Sequence, residues 1–222
     1  MAQEPASGQY GQVQGLFDRG RLVAVHTSVQ VGIGIGPSAA ARLSVDHRRP
    51  RTDVAVLGEA LAWHGGLTLD YLHEQGVPCY IECNPRTVEP ANAAASGVNI
   101  PEMQVRLTMG EESLRPAGVG TAGVGTHGTI ALVLGAAAYG CSRRAVITEL
   151  GRAIGRRAYY RDSAEQLTPI LRDPPSAIVL AFVTPRALAS PRQATRVASK
   201  AIARYSITPA TIDTVAAATR QI

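Results

Sequence analysis

The residues of this chain best suited to chemistry lie in the stretch YIECNPRTVEP, residues 80–90. A run of apolar, strand-like residues brings a carboxylate, an amide and a guanidinium to alternate positions, at Glu82, Asn84 and Arg86. Because side chains alternate between the two faces of a β-strand, these three groups share one face. Another carboxylate follows at Glu89.

A hairpin is predicted to place one more carboxylate opposite this set. The segments LTLDYL and CYIECN are typical of strands, and HEQGVP between them is turn-like. If the turn is centred on Gly76, Asp70 lies directly opposite Glu82, with Cβ atoms about 4.5–5.5 Å apart. Asp70 then lies on the face opposite to Leu69 and Tyr71.

Facing carboxylates repel each other unless a cation lies between them. Asn84 adds a neutral oxygen, and a hard cation such as Mg²⁺, or Mn²⁺ in its place, prefers oxygen ligands of this kind. Mg²⁺ often binds substrate phosphates as well, and the guanidinium of Arg86 is suited to phosphate oxygens. The pattern therefore indicates a metal-bridged polyphosphate. A Glu and an Asn at a strand end are also often solvated or capping groups, and the hairpin alone leaves that interpretation open.

Composition bounds the class of protein. The 222 residues are enough for one large domain or two small ones. An apolar run of about 18 residues, which would predict a membrane-spanning helix, is absent from the sequence. The first residues lack the basic start and apolar block of a signal peptide, so a cytoplasmic location is expected. The sparse cysteines, Cys79, Cys83 and Cys141, argue against a disulfide framework or a zinc site, and the first two are expected to be buried.

Charge is distributed unevenly along the chain. Residues 1–112 hold 8 Arg and 12 Asp or Glu, a net charge of −4, whereas residues 113–222 hold 14 Arg or Lys and 5 Asp or Glu, a net charge of +9. The asymmetry predicts two regions with different roles. A basic excess is compatible with binding to nucleic acid or to an anionic membrane surface. The lack of interleaved aromatic residues and of a known reader motif disfavours nucleic acid.

Three patterns predict local structure in the first half. GLFDRGRLVAVH is typical of a hairpin with Gly20 in the turn. The alternating glycines of VGIGIGP depart from the dinucleotide-binding fingerprint, and they fit either a loop over a ligand or a plain surface loop. TDVAVLGEALAWHGG is predicted to be a helix capped by Thr52.

The second half is predicted to be helical after a Gly-rich linker at residues 113–126. Apolar periodicity first predicts two helices, over residues 129–139 and 142–157. N-cap and capping-box patterns predict further helix starts at Ser163, Ser190 and Thr208. Residues 127–222 are therefore predicted as an all-helical extension.

The segment LTLDYLHEQGVPCYIECNPRTVEPANAAASG resembles the magnesium-binding hairpin of the ATP-grasp superfamily, in its carboxylate–amine ligase-like branch. The family pattern is an acidic residue, then Glu-x-Asn-x-Arg about a dozen residues later, then another acidic residue. Here it is formed by Asp70, by Glu82 with Asn84 and Arg86, and by Glu89. The segment QEPASGQYGQVQGLFDRGRLVAVH is similar to the stretch that leaves the adenine-binding hinge, so the resemblance covers residues 1–112.

The resemblance implies an α+β fold, with an antiparallel sheet and helices forming the large ATP-grasp lobe before the helical extension. It implies that Asp70, Glu82 and Asn84 hold one or two magnesium ions on the phosphates of ATP. Arg86 would contact phosphate or an acyl-phosphate intermediate. Gln3 and Glu4 would lie where the hinge contacts the adenine and ribose of ATP. Arg42, which follows the Gly-rich stretch, is a further candidate for facing phosphates.

The implied activity is ATP- and Mg²⁺-dependent ligation of a small carboxylate to an amine or thiol through an acyl-phosphate. In the family a small nucleotide-binding lobe precedes this point, so the chain is expected to be a C-terminal portion supplying the metal and phosphate half of the site. The missing lobe could act in trans, and family members often form homodimers. Two hypotheses of other classes stay open: a catalytically silent binding or assembly module that keeps the fold, and a basic nucleic-acid-binding protein.

Overall fold

The computed structural model describes residues 5–36, 38–74, 76–111 and 118–203, with side chains up to residue 200. The predicted hinge residues Gln3 and Glu4 lie outside the described residues, as does the helix start predicted at Thr208. The rest combines one large sheet with packed helices, so the α+β fold class is confirmed.

The sheet is mainly antiparallel. In chain order its strands are β1 (Gln9–Asp18), β2 (Arg21–Ile33), β3 (Ala39–Ser44), β4 (Gly65–Glu74), β5 (Val77–Asn84), β6 (Gly125–His127) and β7 (Ser163–Glu165). Within the described residues they lie side by side in the order β5-β4-β1-β2-β3-β6-β7. Among these described strand pairs, β6 with β7 is the only parallel one.

The helices flank the sheet and make up most of the C-terminal region. They are α1 (Arg48–Ala60), α2 (Ala91–Ala95), α3 (Ile100–Thr108), α4 (Thr129–Gly140), α5 (Arg143–Ile154), α6 (Ser176–Ala189) and α7 (Pro191–Ala203). The starts predicted for α4, α5 and α7 are confirmed, and the Ser142 hydroxyl accepts a hydrogen bond from the Ala145 amide at 3.2 Å as an N-cap. In the described ranges, no helix combines the length and the apolar composition needed to cross a membrane.

One face of the sheet carries the core under α1. Val13, Leu69 and Tyr71 are buried there against Val54 of α1. Fully burying such side chains stabilises the fold by roughly 1.5–3 kcal/mol each. Because successive side chains alternate, Asp70 lies on the opposite face, as predicted from the sequence.

The hairpin predicted around Gly20 is confirmed. Asp18 pairs with Arg21, which leaves Arg19 and Gly20 as a two-residue loop between β1 and β2. The φ angles of the two loop residues are 48° and 88°. Positive φ at both positions is what a type I′ turn requires, and glycine adopts it at little cost.

Two predicted helix starts are wrong. Helix α1 begins at Arg48 rather than after Thr52, whose hydroxyl donates a hydrogen bond to the Arg48 carbonyl at 3.1 Å inside the helix. The earlier start is allowed because Pro50 lies in the first turn, where its missing amide costs nothing. Ser163 begins strand β7 instead of a helix, and its hydroxyl lies 2.8 Å from the ring of His127.

The expectation that Cys79 and Cys83 are buried is also wrong, because both are exposed. They belong to β5, which forms the edge of the sheet. Helix α1 packs mainly over β1 and β2, further inside the sheet, and so leaves most of β5 uncovered.

The segment predicted as a linker runs along the sheet in its described part, residues 118–126. Val119 forms a parallel bridge with Val25. Ser44 donates its amide to the Val124 carbonyl at 2.9 Å and accepts the Gly123 amide at 2.9 Å. Strands β6 and β7 then extend the sheet, so the C-terminal region is mainly helical and not entirely so. The domain boundaries at residues 112 and 126 stay predictions.

Candidate functional site on the polar sheet face

The sheet face opposite α1 carries polar side chains on every strand from β5 to β6, and we call it the polar face. Cross-strand partners share a face, and the register aligns these residues in rows. The polar face comprises Tyr10, Gln12, Gln14, His26, Ser28, Arg42, Ser44, Thr68, Asp70, Glu82, Asn84 and Thr126. All of these except Tyr10 and Glu82 are buried. Buried polar groups need hydrogen-bond partners, because burying them without partners costs free energy.

The predicted pairing of Asp70 with Glu82 is confirmed by the register of β4 and β5. Near the turn, Glu74 pairs with Val77, one residue away from the predicted register. A β-bulge after Asp70, with Ile81 as the extra residue, restores the predicted pairing. The bulge therefore determines that both carboxylates lie on the polar face.

The Asp70 carboxylate is held by amide side chains. It is 5% exposed; Gln12 donates to one of its oxygens at 2.9 Å and Asn84 to the other at 3.3 Å. Gln14 in turn donates to the side-chain oxygen of Gln12 at 2.7 Å. This chain of hydrogen bonds fixes the orientation of the carboxylate before any ligand binds.

Glu82 and Arg86 are exposed beside this buried network. In the part of the chain that the structure describes, neither side chain forms an ion pair or a hydrogen bond. The backbone of Arg86 is nevertheless fixed, since its amide donates to the Asn84 carbonyl at 2.8 Å and its carbonyl accepts from the Thr68 hydroxyl at 2.8 Å. Both charged groups are therefore available to a ligand from an ordered backbone.

Arg42 lies on the polar face and is paired with Glu89. Two guanidinium nitrogens donate to one oxygen of Glu89, at 2.7 and 3.2 Å. The Arg42 side chain is 6% exposed and that of Glu89 is 51% exposed. Tyr10 lies between Asp70 and Arg42: its pKa is raised to about 12, first by burial and then by the negative charge of Asp70, while Arg42 acts to lower it.

His26 links the polar face to α2. Its Nε2 lies 2.9 Å from the Asn92 side-chain oxygen and its Nδ1 lies 3.1 Å from the Ser96 hydroxyl. Burial lowers the pKa of His26 to about 4, against the smaller opposing effect of the Asn92 hydrogen bond. The ring is therefore neutral at pH 7, and because Asn92 donates its amide to the Val124 carbonyl and to the Thr126 hydroxyl, its oxygen accepts from the ring.

Sequence reasoning missed most of the polar face on β1 and β2. Those strands present Tyr10, Gln12 and Gln14, and then His26 and Ser28, at alternate positions. Polar residues with a period of two inside segments that already look like strands were an available signal. Such alternation is equally typical of a solvated sheet face, so by itself it does not identify a site.

Asp70, Glu82 and Asn84 lie at paired or neighbouring positions of β4 and β5. They carry carboxylate and amide oxygens, the ligand type that a hard cation prefers. The side-chain oxygen of Gln14 is buried and has no hydrogen-bond partner among the described residues. Within the described ranges, no cluster of three or more His, Cys, Asp or Glu could hold a metal ion. Any cation here would therefore need ligands beyond the protein carboxylates, as Mg²⁺ on phosphates does.

A cavity of about 500 Å³ adjoins the polar face at Arg42, Glu89, Asn92 and Thr126. Its volume suits a small molecule beside Arg42 and Glu89. Asp70, Glu82, Asn84 and Arg86 do not line this cavity. Arg86 offers an oxyanion a guanidinium group that has no ion pair or hydrogen bond among the described residues. No model of a known protein family and no curated protein matches this chain, so the interpretation of the site depends on its own geometry.

Proposed function

We propose that the polar face is the metal- and phosphate-binding half of an ATP-dependent ligase that joins a carboxylate to an amine or thiol. Asp70, Glu82 and Asn84 would hold Mg²⁺, and Arg86 would contact the transferred phosphoryl group. The observation that carries the proposal is the pairing of Asp70 with Glu82 next to Asn84. Facing carboxylates are unfavourable in a sheet unless a cation offsets their repulsion.

The residues of the polar face are suited to phosphoryl transfer, which depends mostly on positioning and charge neutralisation. Bound Mg²⁺ would neutralise charge on the phosphates. Gln12 and Asn84 orient the Asp70 carboxylate through its two oxygens. Arg86 can bind a phosphate oxygen without first breaking an ion pair within the described residues.

The proposal is tested by thermal unfolding of the full chain with MgATP. A ligand at about 100 times its Kd stabilises a protein by roughly 2.7 kcal/mol, which raises Tm by several degrees for a chain of this size. Glu82→Gln should abolish the increase in Tm. It should leave the ligand-free Tm unchanged or slightly raised, because Glu82 is exposed, has no side-chain hydrogen bond or ion pair among the described residues, and loses its repulsion from Asp70. Arg86→Gln should reduce the increase.

Glu59→Gln is the matched control, since Glu59 is an exposed carboxylate on α1, across the sheet. This variant should keep the full response to MgATP, and ATP with a chelator in place of Mg²⁺ should give little response. A wild-type chain that does not respond to MgATP, or a Glu82→Gln variant that responds fully, would rule out the metal site. The first outcome would favour the catalytically silent module.

A further inference from the structure

The last two described helices, α6 and α7, carry charge of one sign only. They follow each other with a single residue, Ser190, between them and pack together. Residues 176–203 contain no Asp or Glu, and their basic residues are Arg186, Arg192, Arg196 and Lys200. Because no acidic group within the pair opposes these charges, the two helices carry a local positive potential.

Helix α6 also carries apolar side chains that the described residues leave uncovered. Ile178 is 71% exposed and Phe182 is 58% exposed. They lie four residues apart, so they are neighbours on one side of the helix. On α7, Val197 is 64% exposed, and it lines the same groove of about 320 Å³ as Phe182. The exposed apolar side chains of the two helices therefore lie on a common side of the pair.

A basic stripe borders this apolar side. Arg192, Arg196 and Lys200 follow each other at intervals of four residues along α7, which places them on one side of the helix. All three are exposed, and among the described residues none forms an ion pair or a side-chain hydrogen bond. Val197 lies three residues before Lys200, so the stripe runs beside the groove. We call the apolar side chains and the basic stripe together the α6–α7 face.

Arg186 lies at the boundary between the apolar and the basic part of this face. Its guanidinium group lies over the Phe182 ring, 3.3 Å from the ring centroid, and donates a hydrogen bond to the Phe182 carbonyl at 2.9 Å. Side chains with an apolar body and a charged or polar end are favoured where water meets an apolar phase. The pair is therefore suited to such a boundary.

We propose that the α6–α7 face binds the surface of an anionic phospholipid bilayer. Arg192, Arg196 and Lys200 contact the lipid phosphates, which attract basic groups at the membrane surface. Ile178 and Phe182 enter the boundary between head groups and acyl chains, where amphipathic helices bury their apolar side about 5–10 Å deep. A bilayer thus accommodates both parts of the face at once.

The exposed apolar residues favour a lipid surface over nucleic acid as the partner. Nucleic acid would use the basic stripe, because its phosphate backbone supplies most of the attraction. It would leave Ile178 and Val197 exposed, since it contacts proteins through phosphates and through stacking of bases on aromatic side chains.

Co-sedimentation of the full chain with vesicles tests the proposal. The chain should bind vesicles of equimolar phosphatidylcholine and phosphatidylglycerol and should not bind vesicles of phosphatidylcholine alone. Added salt should weaken the binding, because salt screens exposed charges. The triple variant Arg192→Gln/Arg196→Gln/Lys200→Gln should lower the affinity on the order of 100-fold, since each basic residue near an anionic surface contributes roughly fivefold.

The matched control for the triple variant is Arg48→Gln/Arg157→Gln/Arg161→Gln. It removes the same charge from exposed positions outside α6 and α7. This control should bind anionic vesicles nearly as tightly as the wild type, because the proposal depends on where the charge lies. Circular dichroism and Tm without vesicles establish that each variant is folded.

The apolar part of the face has its own variant and control. Ile178→Ser/Phe182→Ser should weaken binding to anionic vesicles roughly tenfold or more, because burial of a large apolar side chain contributes at least that factor. Val56→Ser/Ile147→Ser should not weaken it, although both side chains are 60% exposed, because they lie on α1 and α5.

The proposal is overturned if the chain binds neither kind of vesicle or binds both equally well. It is also overturned if the triple variant loses no more affinity than its control, or if the apolar double variant binds like the wild type. A chain that binds a short DNA duplex but not anionic vesicles would assign the basic stripe to nucleic acid instead. Glu82→Gln should bind vesicles like the wild type while losing the MgATP response, which distinguishes a failure here from a failure of the proposed ligase site.

Discussion

At the scale of single residues, the polar face is a set of charged and polar groups that stabilise each other before any ligand binds. Asp70 is held by two amides, and the buried Arg42 is neutralised by the half-exposed Glu89. A buried charge without a partner would cost several kcal/mol, on the order of 3–5 kcal/mol when one member of a buried pair is removed. These pairings explain how a sheet face with so many polar residues stays folded.

His26 predicts a pH dependence of stability. Its pKa falls from an ordinary value of 6.5 to about 4 on folding, so between these pH values the unfolded chain binds a proton that the folded chain does not. Stability is therefore full above about pH 6.5 and is lost as pH falls toward 4, by on the order of 3 kcal/mol from this group. Urea denaturation across this pH range should show a shallower slope in His26→Gln than in the wild type.

His64→Gln is the control for that measurement, because the His64 ring is half exposed. An NMR titration of the His26 ring checks the same prediction in the folded wild-type chain. A His26 ring that titrates near pH 6.5 would contradict it, as would equal slopes in the His26→Gln variant and the wild type.

At the scale of elements, short-range signals compete with long-range contacts. The Ser142 side chain caps α5 as its sequence pattern predicts. Thr52 and Ser163 carry similar signals, yet the first lies inside α1 and the second lies in β7 beside His127. A residue that can cap a helix expresses only a local preference. Other contacts override that preference where the helix can start earlier or where the segment can pair as a strand.

Replacing Ser142 and Thr52 by alanine, one at a time, should distinguish a residue that caps a helix from one that only resembles a cap in the sequence. Ser142→Ala should lower the free energy of unfolding by about 1 kcal/mol, because it leaves the Ala145 amide without its acceptor. Thr52→Ala should cause no loss, since its hydroxyl bonds within the helix and alanine has the higher helix propensity. Urea denaturation measures both, and equal losses would mean that Thr52 does act as a cap.

At the scale of the whole molecule, the helical C-terminal region is packed against the sheet. Leu132 of α4 is buried with Ala40 and Ala41 of β3. Gly135 allows α4 to approach the end of β2, since a Cβ at this position would overlap the carbonyl oxygen of Ile33. The region after residue 118 and the sheet therefore depend on each other for part of their stability.

Gly135→Ala should destabilise the protein by a net of about 2 kcal/mol. The overlap is with a backbone carbonyl, so the overpacking cost should lie near the upper end of the usual range of about 1–3 kcal/mol, and the gain in helix propensity offsets about 1 kcal/mol of it. Gly151→Ala is the matched control in α5, because a Cβ there meets only open space. That variant should be more stable than the wild type by up to about 1 kcal/mol. Chemical denaturation gives both values; a neutral Gly135→Ala would show that α4 is free to move away from the sheet.

The sequence by itself determined the features that depend on local periodicity. It predicted the Gly20 turn and the alternation that separates Asp70 from Leu69 and Tyr71. It also predicted the pairing of Asp70 with Glu82, although the strands reach that pairing only through a β-bulge that local periodicity does not predict. These depend on side chains that alternate along a strand and on a short loop between neighbouring strands.

Only the tertiary structure decided which distant groups meet. It brought Glu89 to Arg42 and aligned the polar residues of β1 and β2 with Asp70. It also left Cys79 and Cys83 exposed on an edge strand and joined β6 to β7. The physical reason is that strand order and helix coverage depend on contacts between residues far apart in the chain. A local pattern records which face a side chain occupies, but not what lies against that face.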